Sequence, residues 1–579
     1  MFRQVKTWTL TSHGETALLW RLWSGLKRLP DNLLIRGRRV MRDKPADRED
    51  MMLKWTRRQL LAAVAIALPL AFGGMAGEAA AEKVLRVIPH ADLKNLDPIW
   101  TTAYISRNHG YLIYDTLFAM DESFKPQPQM VDSWTVSDDK LTWTFKLRDG
   151  LKWHDGADVT AEDCVASLER WGKRDGMGQA LMAVVESLSA GDAKTIVMKL
   201  KEPYGLVLES IGKISSNVPF MMPKRMAETD PFEQIKEHIG SGPFMFKADE
   251  WVPGSKVVYV KNPDYVPRSE PPSAAAGGKI AKVDRVEWTY FPDQTTAMNA
   301  LISGEVDYFE APANDLMPIL SSNPDITVEI NDPLGNIGFA RFNHLLPPFD
   351  NAGVRRAAIM AMKQEDYLAA AVGDQQFWKT CYSVFPCGTP LANEVGSDVI
   401  KTGDIDKAAA ALKEAGYDGT PVVIMQPTDI PLLSAFSLVT AEKLRKIGMK
   451  VEVQAMDWST LTSRRAKREP VADGGWNMFH TWWIGADVID PMAIAFSGNP
   501  EKGWFGWPTD EALEKARTAF AKAGSVEEKQ EIAKQVQERL WAIGASGELG
   551  QFFVPVAYRN NVKGLIKSPV QFFWNMSVE

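Results

Sequence analysis

The chain has 579 residues, 66 Lys and Arg against 73 Asp and Glu, 45% hydrophobic content and three cysteines. That is the composition of a globular protein long enough for more than one lobe, and it excludes a disordered or collagen-like chain. Residues 1–81 hold 14 basic and 7 acidic side chains, leaving 52 against 66 in the remainder, so the body carries a formal charge of −14, repels phosphate backbones and excludes nucleic acid as a partner.

In chain order, Arg57-Arg58 precedes the apolar run Leu60 to Phe72, and small residues follow, ending Ala79-Ala80-Ala81. A charged region, a short apolar core and an Ala-x-Ala exit make a secretory signal, too short for a membrane span. No other run reaches the ~18–20 apolar residues of a span, so an integral transporter is excluded. Thr56-Arg57-Arg58-Gln59-Leu60-Leu61 resembles the twin-arginine export signal, with Ala62 where a Lys is usual. Residues 1–50 read either as a long basic leader or, with Met51-Met52 as the start, as no part of the translated protein. The leader is set at 1–81.

The body opens with strands. Val84–Ile88, Leu141–Leu147, Thr195–Leu200, Lys256–Val260 and Val283–Trp288 are short β segments, several alternating apolar and polar residues. A helix starts at Thr160, where Asp163 completes a capping box, and Cys164 falls on its apolar stripe with Val165, Leu168 and Trp171, the place of a buried, inert thiol. The stretch 269–278 reads as a surface loop, and a helix covers Thr296–Ser303. Beyond residue 330, an Ala-rich helix from Asp406 stops at Gly416. Strand 421–426, helix 432–447 and strand 450–454 then form a βαβ unit that demands a parallel pair. Amphipathic helices fill 510–543, and Phe552 to Trp574 reads as β again. Cys381 and Cys387 flank a short loop that can oxidise outside the cytoplasm, closing a bridge on the order of 2 kcal/mol.

Reaction centres are hard to find. The chain lacks a Gly-x-Ser-x-Gly elbow, a His-Glu-x-x-His helix and a phosphate loop, and its seven histidines are scattered. His154-Asp155 lies in a glycine-flanked turn and reads as turn bonding. No cofactor and no metal site are expected. Aromatic surface is abundant instead: of 20 tryptophans, Trp458, Trp476, Trp482, Trp483, Trp504 and Trp507 cluster late. Rings form rigid apolar walls at low entropy cost, as ligand clefts require. Trp482-Trp483, beside Gly485-Ala486-Asp487, is the pair expected to line a cleft.

Several segments carry a resemblance. They are Phe145 to Gly156 with Val159-Thr160-Ala161-Glu162-Asp163, Gly240-Ser241-Gly242-Pro243-Phe244, Ala300 to Asp307, Pro347-Pro348-Phe349-Asp350 with Val354-Arg355-Arg356-Ala357, and Glu414-Ala415-Gly416-Tyr417. In this order they resemble the periplasmic solute-binding proteins of the peptide/nickel type, family 5, which serve ABC importers. The resemblance implies an α/β, two-lobe periplasmic binding protein fold of type II, with an extra subdomain in lobe I and a cleft between the lobes. Transferred here, lobe I covers 82–332, with the extra subdomain about 121–240; lobe II covers 333–552, and 553–579 returns to lobe I. It implies that Arg355-Arg356 packs helices and that Asp487, four residues before Pro491, accepts a ligand ammonium group, a charge-assisted pair that fixes register. Similar peptide binders place Trp three residues before that Asp, where this chain has Ile484. A helix cap or a hydrogen bond within one lobe remains the alternative role for Asp487.

The reading that follows is a periplasmic receptor, not an enzyme. It captures a peptide or amine-containing small organic solute by lobe closure and delivers it to ABC permease subunits in the inner membrane. The expected ligand-binding residues are Asp487, Trp482 and Trp483 from lobe II, with Trp100, Tyr104 and His109 from lobe I. The alternatives are an exported carboxylate-dependent hydrolase using Asp487 and Asp490, and a docking or chaperone role.

Overall fold

The computed structural model describes residues 82–523 and 525–579. The expected signal, its arginine pair and residues 1–50 lie outside the described residues.

Two large sheets organise the body. The first has seven strands in the order Ile326–Ile330, Pro555–Arg559, Tyr308–Phe309, Val84–Ile88, Arg285–Thr289, Lys256–Lys261 and Phe244–Phe246. Val84–Ile88 pairs in parallel with Arg285–Thr289 and Tyr308–Phe309, and its inward residues Leu85 and Val87 are fully buried. Pro555–Arg559 lies antiparallel between Tyr308–Phe309 and Ile326–Ile330, so the last part of the chain does return to the first sheet.

The second sheet has six strands, ordered Trp378–Lys379, Ser546–Phe552, Asn336–Phe342, Met478–Ile484, Val422–Pro427 and Val451–Met456. Val422–Pro427, the helix Pro431–Lys446 and Val451–Met456 form the βαβ unit, with the strands parallel and Val422 opposite Val451. Gly448, at φ 98°, ends the turn after that helix in the left-handed region open to glycine. Three strands here carry no alternation in sequence: Asn336–Phe342 and Ser546–Phe552 are buried along their whole length, and Met478–Ile484 almost so. A strand covered on both faces has no polar side to alternate with. The β reading of 552–574 therefore needs correction, since Ser546–Phe552 belongs to the second sheet and only Pro555–Arg559 and Val562–Lys563 are strands within it.

A separate antiparallel sheet, Val131–Val136, Thr142–Leu147, Thr195–Leu200 and Val185–Asp192, packs under the helix Ala161–Trp171. Thr160 and Asp163 form the capping box at that helix start, and Cys164 is fully buried, which pushes its thiol pKa far up. The 269–278 stretch is no free surface loop: Ala274, Ala275 and Ala276 are buried, and the Ala275 N–H donates to the Met120 carbonyl at 3.1 Å. Arg355 and Arg356 donate to the Ile543 and Ala542 carbonyls, capping the helix Val526–Ile543 where its dipole is negative.

The chain passes between the large sheets at 331–335 and at 553–554, and these crossings touch. The Gly485 N–H donates to the Gly335 carbonyl at 2.7 Å, and Gln551 Nε2 to the Leu334 carbonyl at 2.7 Å. Gly335 has φ 62°, and a Cβ there would meet the Phe552 carbonyl oxygen at 2.6 Å. Two adjoining crossings make a hinge: the lobes can open but cannot drift apart.

Candidate functional site

Between the sheets lies a cavity of about 720 Å³. One wall is residues 311–318 with Gln294 and His90, and the opposite wall is 370–377 and 429–432 with Trp482 and Phe552. Its carboxylates are Asp315, Asp374 and Asp429, and none of the described residues lining it is Lys or Arg. Asp429 accepts from the Trp458 N–H at 2.8 Å and from the Tyr290 hydroxyl at 3.2 Å, and burial raises its pKa. Two smaller cavities, about 90 and 20 Å³, share His90, Tyr104 and Trp482 with one another.

Strand geometry separates the two neighbouring tryptophans, because successive side chains point to opposite faces. Trp482 is half-buried and lines all three cavities; its indole lies nearly parallel to Trp458, centroids 6.3 Å apart and 14° between planes. Trp483 is 3% exposed, touches only the smallest cavity and packs edge-on against Trp504 at 4.9 Å. Beside them Arg465 is 2% exposed, with its guanidinium 4.8 Å from the Phe505 ring and 5.6 Å from the Trp458 and Trp504 rings. Burial lowers its pKa to about 9, and Nη2 donates to Thr102 Oγ1 at 3.2 Å.

Tyr104 begins the helix Tyr104–Ile113, and its hydroxyl reaches across the cleft. It donates to Asp487 Oδ2 at 2.7 Å and accepts from the Ile484 N–H at 2.7 Å; Ser215 Oγ also donates to Asp487 Oδ2, at 3.1 Å. Asp487 lines none of these three cavities, and its Oδ1 is buried without a hydrogen-bond partner among the described residues. Burial raises its pKa, opposed by the nearby Arg107 and Lys213 charges and by the two hydroxyls. In this arrangement Asp487 holds Tyr104 in place; neither a helix cap nor a hydrogen bond within one lobe describes it.

The other first-lobe expectations fall elsewhere. His109 is completely buried: its Nδ1 meets the Tyr259 hydroxyl at 2.9 Å, its ring packs on Phe246, and burial holds its pKa well below the usual value. Five residues beyond Tyr104 in a helix, it points about 140° away. Trp100 also lines none of the three cavities; its Nε1 donates to the Phe232 carbonyl at 3.0 Å. Asp490 is engaged by the Met492 N–H at 2.7 Å. His154 binds the Gly242 carbonyl and the Gly240 N–H, and burial lowers its pKa to about 4.

Sequence reasoning missed the polar residues that do face the cleft. His90 Nδ1 pairs with Glu310 at 2.9 Å, and the Glu310 carboxylate also accepts from the His90 N–H and Asn108 Nδ2. Although burial pushes Glu310 upward, these contacts and Arg107 leave its pKa lowered. Arg107 donates to Ser215 Oγ at 2.7 Å and lies 4.3 Å from the Tyr104 ring centroid. Among the described residues no group of three or more His, Cys, Asp or Glu is placed to hold a metal ion. Cys381 and Cys387 are joined by a disulfide, and neither lines these cavities.

Two α/β lobes, hinged by paired crossings over a shared cavity, define a binding-protein fold. Residues 125–506 match the family model "Bacterial extracellular solute-binding proteins, family 5 Middle". A probable peptide ABC transporter periplasmic-binding protein of Sinorhizobium fredii is 41% identical over 503 residues, covering 86% of this chain and 94% of the relative. The chain belongs to the bacterial extracellular solute-binding proteins, family 5. Among solved structures, the binding protein AgaA from A. tumefaciens R10 with agropinic acid superposes with a TM-score of 0.71 at 20% identity. DppA of Helicobacter pylori with the peptide STSA does so with a TM-score of 0.71 at 22% identity. Each covers 86% of this chain and is itself 99% covered, and at such identities the likeness establishes the shared fold.

Proposed function

We propose that this protein is the periplasmic receptor of an ABC importer, trapping a peptide or another amine-bearing organic solute between its lobes and releasing it unchanged to permease subunits. The observation that carries the reading is the cavity of about 720 Å³ walled by both lobes, with carboxylates and aromatic rings but no Lys or Arg among the described lining residues. Such a wall favours a cationic group over an anionic one and gives apolar area to the rest of the solute. A ligand touching both walls stabilises the closed arrangement over the open one. The relative named for peptide transport supports the peptide side of this reading.

In the same proposal lobe I is about 82–332 with 553–579, its extra subdomain about 121–240, and lobe II is 333–552. Residues 1–81 direct export by the twin-arginine route; replacing Arg57-Arg58 by two lysines in a reporter fusion should abolish export, and undiminished export would remove that route. Trp482 and Tyr104 contact the solute, and Asp487 acts by positioning Tyr104. The hydrolase alternative gains no support from relatives that are named as binding proteins.

The test is thermal unfolding of the purified chain against a library of peptides, amines and opine-like acids, with mass spectrometry of whatever co-purifies. Saturable stabilisation by a solute recovered intact is the expected result. Turnover of the solute, or no stabilisation across the library, would overturn the receptor.

A further inference from the structure

The hinge holds a carboxylate with one oxygen unpaired among the described residues. Asp332 lies in the first crossing and lines the cavity of about 90 Å³ at the base of the cleft. Its Oδ1 accepts the Leu334 N–H at 2.9 Å, while Oδ2 is buried and has no hydrogen-bond partner among the described residues. Leaving a buried carboxylate oxygen unpaired is costly, so such an atom in a cavity wall marks the place of a missing donor.

The charged groups facing it come from four elements, and each is already engaged. Glu310, after the strand Tyr308–Phe309, is taken by His90 and Asn108; His90, after the strand Val84–Ile88, is taken by Glu310. Arg107, on the helix Tyr104–Ile113, donates to Ser215 Oγ and to Asn108 Oδ1, the latter at 2.9 and 3.2 Å, and forms no ion pair within 4 Å among the described residues. Asp487, after the strand Met478–Ile484, is held by Tyr104 and Ser215. Asp332 and Glu310 line this cavity with one arginine and one histidine, and the histidine is already paired with Glu310.

We propose that Asp332 is an ammonium-binding subsite in which the cationic amine of the transported solute donates to Oδ2. The inference rests on the receptor reading and names the chemistry at its base. A volume of about 90 Å³ suits an alkylammonium head and excludes a bulky ring. The walls come from both lobes, Tyr104 and Arg107 on one side and Trp482 and Ile484 on the other, so the amine meets the complete subsite only when the lobes are closed. Binding a cation here also demands the carboxylate form. Burial raises the Asp332 carboxyl to about 7, so affinity should climb from pH 6 to pH 8 as the proton leaves.

The experiment is calorimetric titration of the purified full chain with propylammonium and with putrescine, at pH 6 and pH 8, in wild type and Asp332→Asn. Saturable binding at pH 8, several-fold weaker at pH 6 and more than tenfold weaker in Asp332→Asn, is the expected result. Failure of both amines to bind wild type, equal affinity in the variant or equal affinity at the two pH values would overturn the subsite. Should Asp332→Asn not fold, the two pH arms on wild type decide. A library solute held equally by wild type and Asp332→Asn leaves the receptor standing and removes only the subsite, so the two failures are distinguishable.

Discussion

Where the first lobe meets the cleft it presents His90, Arg107, Glu310 and Tyr104, each hydrogen-bonded to a named neighbour. Where the second lobe meets it, Trp458, Trp482, Trp483 and Trp504 line the smallest cavity with Arg465, whose guanidinium lies by the Trp458 and Trp504 rings and has one long side-chain hydrogen bond, to Thr102, among the described residues. The two faces do different work. A wall of rings offers area that tolerates many shapes, whereas a bonded polar floor fixes direction and rejects groups that leave it unpaired. Tyr104 and Asp487 join the two faces.

The comparison breaks first at Trp482. Replacing it with Ala removes the ring shared by all three cavities, and the affinity of any solute found by screening should fall by about 2 kcal/mol or more, roughly thirtyfold, by titration. The same change at Trp483, which is buried against Trp504, should lower thermal stability more than it alters which solute binds. Tyr104→Phe is the next test. It leaves the Ile484 N–H without its acceptor and Asp487 with Ser215 alone, costing about 1–3 kcal/mol of unfolding free energy in denaturant titration.

Acidity sharpens the contrast further. Burial raises the carboxyl pKa of Asp332 to about 7 and that of Asp487 and Asp429 above the usual range. A folded state that holds protons the unfolded chain has released loses stability as pH rises from about 4 towards the raised pKa near 7. The ligand-free protein should therefore melt several degrees lower at pH 8 than at pH 5.5 in scanning calorimetry, and Asp332→Asn should flatten that slope. Smaller still is the disulfide: Cys381→Ser with Cys387→Ser should cost about 2 kcal/mol on the loop-entropy model and leave solute affinity unchanged. Lys94→Ala removes a half-exposed ion pair to Asp457 at the cleft rim, and its effect should stay within about 0.5 kcal/mol.

Much of the fold could be read from local pattern. The βαβ unit around Pro431–Lys446 was legible because a helix of that length, bounded by strands and stopped by Gly448, satisfies only one local description. The capping box at Thr160 was legible for the same local reason. Asn336–Phe342 was not, because its neighbours cover both faces and leave even Asn336 and Arg341 buried. The site follows the same division. Trp482 and Tyr104 stood out as rings beside turn residues, but His109 was misplaced because spacing along a helix decides which face a side chain takes. Asp332 carried no signal: the residues around it, His90, Arg107 and Trp482 among them, come from positions far apart in the chain.

The strand Pro555–Arg559 sits inside the seven-stranded sheet, with partners on both sides. Synthesis supplies that strand only after every strand of the second sheet, so the sheet that begins at Val84 stays split until residue 559 has left the ribosome. The amino-terminal half therefore cannot mature in step with translation, and its unfinished edges at Tyr308–Phe309 and Ile326–Ile330 need shielding until the tail arrives.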